Sequence, residues 1–338
     1  MCASPTSHPR NCCIDGGKIM AQGATTLETA RSLPAKRTRG VRSLLRQTLR
    51  KPQFWFGITI IVPTLVWYWF FAYQPIILAF RLAVVKYQML DPAGSPFVGL
   101  DNFRQLFANP LFLISIRNTL LWALLSFVGM LPISLGISLC LVTVRRGRNL
   151  YQGILFLPVV ISLVAIALLF RMLMDPEVGQ LNQILESLGL PAMQWLSSSN
   201  TALPTAVGIS IWKGLGFYVV ILTAGMLNIP VELHDAATVD GVNGWQRFRF
   251  ITLPLLSHTL ALVMVILAIG ALQEFTGIFV LTNGGPGNAT YMYNLLIYQE
   301  AFQYIRFGTA TAAALIQFVF IILISILQLR LVRPSWSY

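Results

Sequence analysis

Six stretches of this chain are almost unbroken runs of apolar residues, at about 54–80, 118–142, 151–174, 204–227, 255–280 and 309–329. Each is long enough to cross the roughly 30 Å apolar core of a bilayer as a helix. The pattern predicts an all-α integral membrane protein with six transmembrane helices. Pro63 and Pro75 predict kinks in the first span, because proline lacks the amide proton a helix interior needs. Between the first two spans, residues 99–110 read as a short interfacial helix with Asp101 as N-cap and Phe103, Leu106 and Phe107 along one side. A polar, basic tail, residues 1–51, precedes a membrane domain over residues 52–333.

Composition agrees with the pattern. Of 338 residues, 56% are hydrophobic and only 11% charged, so most of the surface must face lipid. The net charge of +12 raises nucleic acid as a partner, but the basic residues sit beside the spans and no aromatic-interleaved basic domain accompanies them. They set the orientation instead. Lys36, Arg37, Arg39, Arg42, Arg46, Arg50 and Lys51 lead into span one, Arg145, Arg146 and Arg148 fill the turn after span two, and Arg330 and Arg333 follow span six. Positive flanks stay inside, so both termini are expected in the cytoplasm. Residues 175–203, with three acids and no Lys or Arg, suit a translocated outer segment. Cys2, Cys12, Cys13 and Cys140 make no metal or disulfide pattern, and His8, His234 and His258 form no catalytic set. Gly16-Gly17-Lys18-Ile19 reads as a translated ribosome-binding site, which places the expected start at Met20, and the tail has no apolar segment of signal-peptide type.

One polar interval is richer than a plain turn. The loop 228–254 carries the punctuation of two short helices: Asn228 as N-cap, Pro230 in the first turn, Glu232 and Asp235 near the positive end of the dipole, and Gly241 as the stop. Leu233, Ala236, Ala237 and Asp240 fall on one narrow face of small side chains, suited to close docking. A second amphipathic helix is predicted over 243–251, with Pro254 leading into span five.

The loop resembles the cytoplasmic EAA loop of ABC importer permeases. In that signature Glu-Ala-Ala is followed by Gly and then by Ile-x-Leu-Pro, and here Asp235-Ala236-Ala237, Gly241, Ile251 and Leu253-Pro254 take those places. Asp235 stands where Glu is usual and Val242 where Ala is commoner. Further marks are GLDNF at 99–103, NTL at 118–120, FLP at 156–158 and LTNGGP at 281–286, and together they are similar to the carbohydrate permeases of the maltose, lactose and glycerol-phosphate importer group. The resemblance implies the type I ABC importer permease architecture and a transport subunit rather than an enzyme. It also implies partners: a second permease that is a different chain, two ABC ATPases and an external solute-binding protein. Glu232, Asp235, Ala236, Ala237, Asp240, Gly241, Ile251, Leu253 and Pro254 would couple to an ATPase, and Asn283, Gly284, Gly285 and Pro286 would face the binding protein. ATP and Mg would be used by the partner ATPase, and no cofactor or metal by this chain, which has no phosphate-cradling loop ending in Gly-Lys-Ser/Thr.

Two ionisable residues lie within spans, where charge is costly and points to function. Lys213 and Glu274 fall at similar depth, so two readings stand: a structural ion pair or a snorkelling lysine, or a solute path lined by Trp212, Lys213, Tyr218, Gln273 and Glu274. Aromatic faces with amide and hydroxyl groups suit sugars. The rival reading, a secondary transporter or channel not coupled to ATP, requires coupling groups at broken helices or internal repeats, and the sequence displays neither.

Overall fold

The computed structural model describes residues 52–89, 91, 94–144 and 146–331. The basic tail, the three tail cysteines, Arg145 and Arg333 lie outside the described residues.

Residues up to Trp69 and residues from Phe70 onward form two compact units. In the first, α1 (Pro52–Tyr68) is apolar along its whole length and buries none of its residues. Pro63 lies inside it and the helix runs on past it. A π-helical turn, Trp69–Tyr73, follows, and α2 (Gln74–Ala83) begins with Pro75 in its first turn. The wider turn makes room for a proline ring that would strike the preceding carbonyl in a regular helix.

In the second unit, α3 (Asp101–Ala108) is the expected interfacial helix, but its N-cap is Leu100, and Asp101 instead accepts from Gln105 at 2.7 Å. Asn102 is the fixed point of the GLDNF motif. Its buried amide donates to the carbonyls of Ala83 and Val85 at 2.8 and 3.0 Å, and it packs so closely on Gly308 that a Cβ there would sit 2.7 Å from it. The next helix, α4 (Pro110–Thr143), is capped by Asn109 and passes through Pro132 without breaking. Arg148 closes the following turn by donating to the carbonyls of Leu141, Val142 and Val144.

Span three departs most from expectation. It is two helices, α5 (Arg148–Val160) and α6 (Leu163–Leu173), bent by 87° at the Ile161-Ser162 joint. A short helix, α7 (Gln180–Ser187), and a folded loop then lead into α8 (Ala202–Leu227), which packs along α4 and α5. Gly216 is the close-approach point on α5, since a Cβ there would lie 2.6 Å from the Leu155 carbonyl carbon and 2.7 Å from Phe156 Cα.

After α9 (Val231–Val239), α10 (Gly244–Arg247), a second π-helical turn (Phe248–Thr252) and α11 (Leu253–Leu255), the chain recrosses as α12 (Ser257–Leu272). Here too a π turn stands just ahead of a proline, Pro254. This span is also interrupted, at Gln273 to Phe275, before α13 (Thr276–Leu281). Broken helices, which the sequence does not display, are therefore present: among the described residues two spans are discontinuous. Gln317 and Asn294 donate to the carbonyls of Leu272 and Glu274 at 2.9 and 3.5 Å, meeting backbone groups that lipid could not satisfy.

The segment after α13 is not a plain outer loop. It folds back, and Tyr291, Met292, Tyr293, Leu295 and Leu296 are buried with Trp122, Ile166, Ile278 and Ala313 in the larger core cluster. That segment contains α14 (Tyr293–Tyr298), a π turn (Gln299–Gln303) and the buried Glu300, whose carboxylate accepts from Asn109 and Thr309. The last helix, α15 (Phe307–Leu331), packs against α2, α3 and α12. Among the described residues, five helices are long and apolar enough to span a membrane, and the bent α5 and α6 pair makes a sixth.

Candidate functional site

Three groups of residues were singled out by sequence, and the fold places them at the two ends and in the middle of the bundle. Helix α8 runs from the end that holds residues 171–203 and 282–288 to the end that holds residues 228–256, and α12 returns.

At the second end, α9 stands where the docking helix was predicted. Its N-cap is Pro230 rather than Asn228, which instead closes the C-terminus of α8. Its own C-terminus is a Schellman motif: Val242 N–H donates to the Ala237 carbonyl at 3.0 Å and Gly241 N–H to Thr238 at 3.2 Å, with Gly241 at φ +72°. Only a residue tolerant of the left-handed region closes the helix this way. Ala237 is buried against the protein, whereas Glu232, Asp235, Ala236 and Asp240 are exposed. So are Val231 and Val239, at 66% and 88%, and Trp245 and Phe250 beyond them. Behind α9, Asn243 and Gln246 form a capping box at α10. The predicted second helix over 243–251 is real only in its first turn and continues as the π turn toward Leu253-Pro254, with Ile251 half-buried. The result is a short helix held by one buried alanine, with apolar and acidic side chains offered outward.

In the middle, the two breaks lie together, because α6 packs on α13. Lys213 on α8 donates to the Val159 carbonyl at 3.3 Å, one of the groups the bend releases from helical bonding. Glu274 accepts from Gly277 N–H at 2.9 Å and so caps α13. The two residues make no ion pair within 4.0 Å. Trp212 is half exposed and meets Phe170 of α6 edge to face at 5.4 Å between ring centres, and Gln273 is exposed at the second break. The fold thus gathers Trp212, Lys213, Gln273 and Glu274 around two interrupted helices. Tyr218 is placed elsewhere, 9% exposed in a second core cluster with Met130, Leu222 and Met226. Phe170 is the residue that sequence reasoning missed. Its partner lies on another helix, and no spacing in the chain signals that contact.

At the first end, the loop with Asn283, Gly284, Gly285 and Pro286 is tightly held. Asn118 of the NTL motif donates to the carbonyls of Asn288 and Tyr291 at 2.9 and 3.2 Å. Thr290 donates to Gly285 and shares a 2.7 Å hydrogen bond with Thr282. Positive φ at Asn283, Gly284, Gly287 and Asn288 explains why small and amide residues occupy the turn.

The family profile described as "Binding-protein-dependent transport system inner membrane component" matches residues 130–335. The probable ABC transporter permease protein YurN of Bacillus subtilis is 32% identical over 81% of this chain and 95% of its own length. The multiple sugar-binding transport system permease protein MsmF of Streptococcus mutans is 29% identical over 85% of this chain and 97% of its own. Among solved structures, a chain of a bacterial ABC transporter involved in the import of the acidic polysaccharide alginate superposes with a TM-score of 0.76 at 28% identity, covering 87% of this chain and all of that one. A second structure of such a transporter, in complex with alginate pentasaccharide-bound periplasmic protein, gives 0.74 at 28% identity over 83% and 95%.

Proposed function

The chain belongs to the binding-protein-dependent transport system inner membrane component family, as a multi-pass ABC importer permease, and from that premise we propose that it passes a sugar or related solute. It is a transport subunit, not an enzyme. The observation that carries the reading is the Schellman-capped helix α9 in the loop that holds Asp235-Ala236-Ala237, Gly241 and Leu253-Pro254 at the permease spacing.

In this reading α9 lies on the cytoplasmic side and seats in a cleft of an ABC ATPase, with Asp235 or Glu232 paired to a basic residue there. The partner binds ATP and Mg and does the hydrolysis. Closure of two such ATPases moves α9 as a rigid body, and the bundle alternates between inward-open and outward-open states. A second permease, a different chain, completes the passage, an external binding protein delivers solute to the loop at 283–286, and the assembly sits in a bacterial-type inner membrane.

The proposed path runs past the breaks. The Trp212 ring offers an apolar face to a sugar, while Gln273, Lys213 and Glu274 offer hydrogen-bonding groups. A sugar as solute is supported by the similarity to the multiple sugar-binding transport permease MsmF and to the alginate importer. Trp212→Ala is expected to raise the transport KM by about tenfold, since loss of one aromatic contact to a ligand is worth about 1–2 kcal/mol. Uptake assays in proteoliposomes of the whole assembly measure this, and unchanged kinetics for both Trp212→Ala and Gln273→Ala would remove these residues from the path.

A further inference from the structure

Between α6 and α8 the chain builds a compact hairpin, residues 175–196, that the transport reading leaves without a task. It is organised around Asn182, which is 3% exposed. The Asn182 amide donates to the carbonyls of Pro176 and Met193, and its oxygen accepts from Met193 N–H and Trp195 Nε1. Gly179 packs so tightly that a Cβ would lie 2.6 Å from the Leu173 carbonyl oxygen. The hairpin is therefore ordered before anything docks on it.

Its outer surface is apolar and acidic at once. Val178, Ile184, Leu188 and Leu190 are exposed at 73%, 55%, 69% and 51%. Around them stand Asp175, Glu177 and Glu186, with no Lys or Arg anywhere in 175–203. Among the described residues none of the three acids makes an ion pair. Asp175 is held below the usual carboxylate range by backbone hydrogen bonds from Val178 and Glu177 and so stays charged. A helix that lies on a membrane surface pairs its apolar face with Lys and Arg, because the lipid headgroups are anionic. The charge here has the wrong sign for that.

The hairpin is continuous with the loop at 282–286. A cavity of about 330 Å³ joins them, lined by Arg171, Asp175 and Ser197 on one side and Thr282, Gly285 and Pro286 on the other. Ser199 donates to the Pro286 carbonyl at 3.5 Å across the same junction.

We infer that the hairpin 175–196, with this cavity, is a docking surface for the external solute-binding protein, and that it fits an apolar patch bordered by Lys and Arg on that protein. The inference rests on the functional reading above. Apolar contact supplies affinity and the acids supply orientation and association rate.

The test uses the complete transporter in nanodiscs and its own purified binding protein, with Kd measured across a salt series. The double variant Glu177→Lys and Glu186→Lys is expected to weaken binding at least tenfold at low salt and to remove the salt dependence. Leu188→Ser should weaken binding several-fold with the salt dependence intact, and Arg104→Glu, outside the surface, should leave Kd within twofold. A Kd within twofold of the parent for both hairpin variants overturns the assignment, as does a loss of affinity that appears only when anionic lipid is exchanged for neutral lipid. An unaltered assembly that binds no external protein overturns the functional reading itself, and this surface with it.

Discussion

Replacing Gly216 with valine is expected to leave little folded permease in the membrane. The position is where α8 presses on α5, and the atoms a side chain would meet are backbone: the Leu155 carbonyl and Phe156 Cα. Overpacking costs about 1–3 kcal/mol where side chains can shift. Here a helix must shift instead, so the expected loss is at the upper end, about 3 kcal/mol. Separation of α8 from α5 would also draw Lys213 away from the Val159 carbonyl, leaving the bend with an unmet acceptor. Detergent size-exclusion profiles and thermal unfolding measure the effect. Gly208 lies on the same helix with open space around it, so Gly208→Val should stay monodisperse. A Gly216→Val protein with the parent melting temperature would show that the contact does not constrain the bundle.

Gly241→Val acts at the other end and by a different cause. A Cβ at Gly241 meets nothing within 4 Å, so space is not at issue. The backbone is, because φ is +72° and a β-branched residue there costs about 1–2 kcal/mol. That strain falls on the Schellman bonds to Ala237 and Thr238, and α9 frays at the end that carries Asp235 to Asp240. A frayed helix cannot carry a rigid-body push. The expected result is a fall of at least tenfold in solute moved per ATP hydrolysed, with ATP turnover retained. Gly241→Asn should be intermediate, since asparagine visits the left-handed region more readily. Full transport by the valine variant would count heavily against α9 as the coupling element.

The six spans were legible because lipid imposes a rule with few exceptions: long apolar runs become helices. The EAA loop was legible for a related reason, since its Gly241 stop is a backbone requirement written as one residue type. What the sequence did not disclose is how the spans break. Pro63, Pro132 and Pro158 look alike in the chain, yet α1 and α4 run on through theirs while α5 ends soon after its own. The difference lies in what surrounds the joint: Gly216 admits α8 close to α5, and Lys213 is there to take the Val159 carbonyl. The break at Gln273 likewise depends on Gln317 and Asn294, which lie far along the chain. Partners so distant in sequence leave no periodic signal. Tyr218 shows the converse, since an aromatic at the right depth was assigned to the path while its side chain faces the core. The same limit hid the segment after α13, where Tyr291, Met292, Tyr293, Leu295 and Leu296 are buried although the flanking turn residues suggest solvent.

In this reading the chain supplies a passage and a handle while a separate ATPase supplies the energy. Uptake of labelled solute into proteoliposomes tests it most directly, with the purified chain reconstituted alone and then with its second permease, ATPases and binding protein. Accumulation above the external concentration is expected only in the complete assembly with ATP on the ATPase side. Accumulation against a gradient by the chain alone would contradict it.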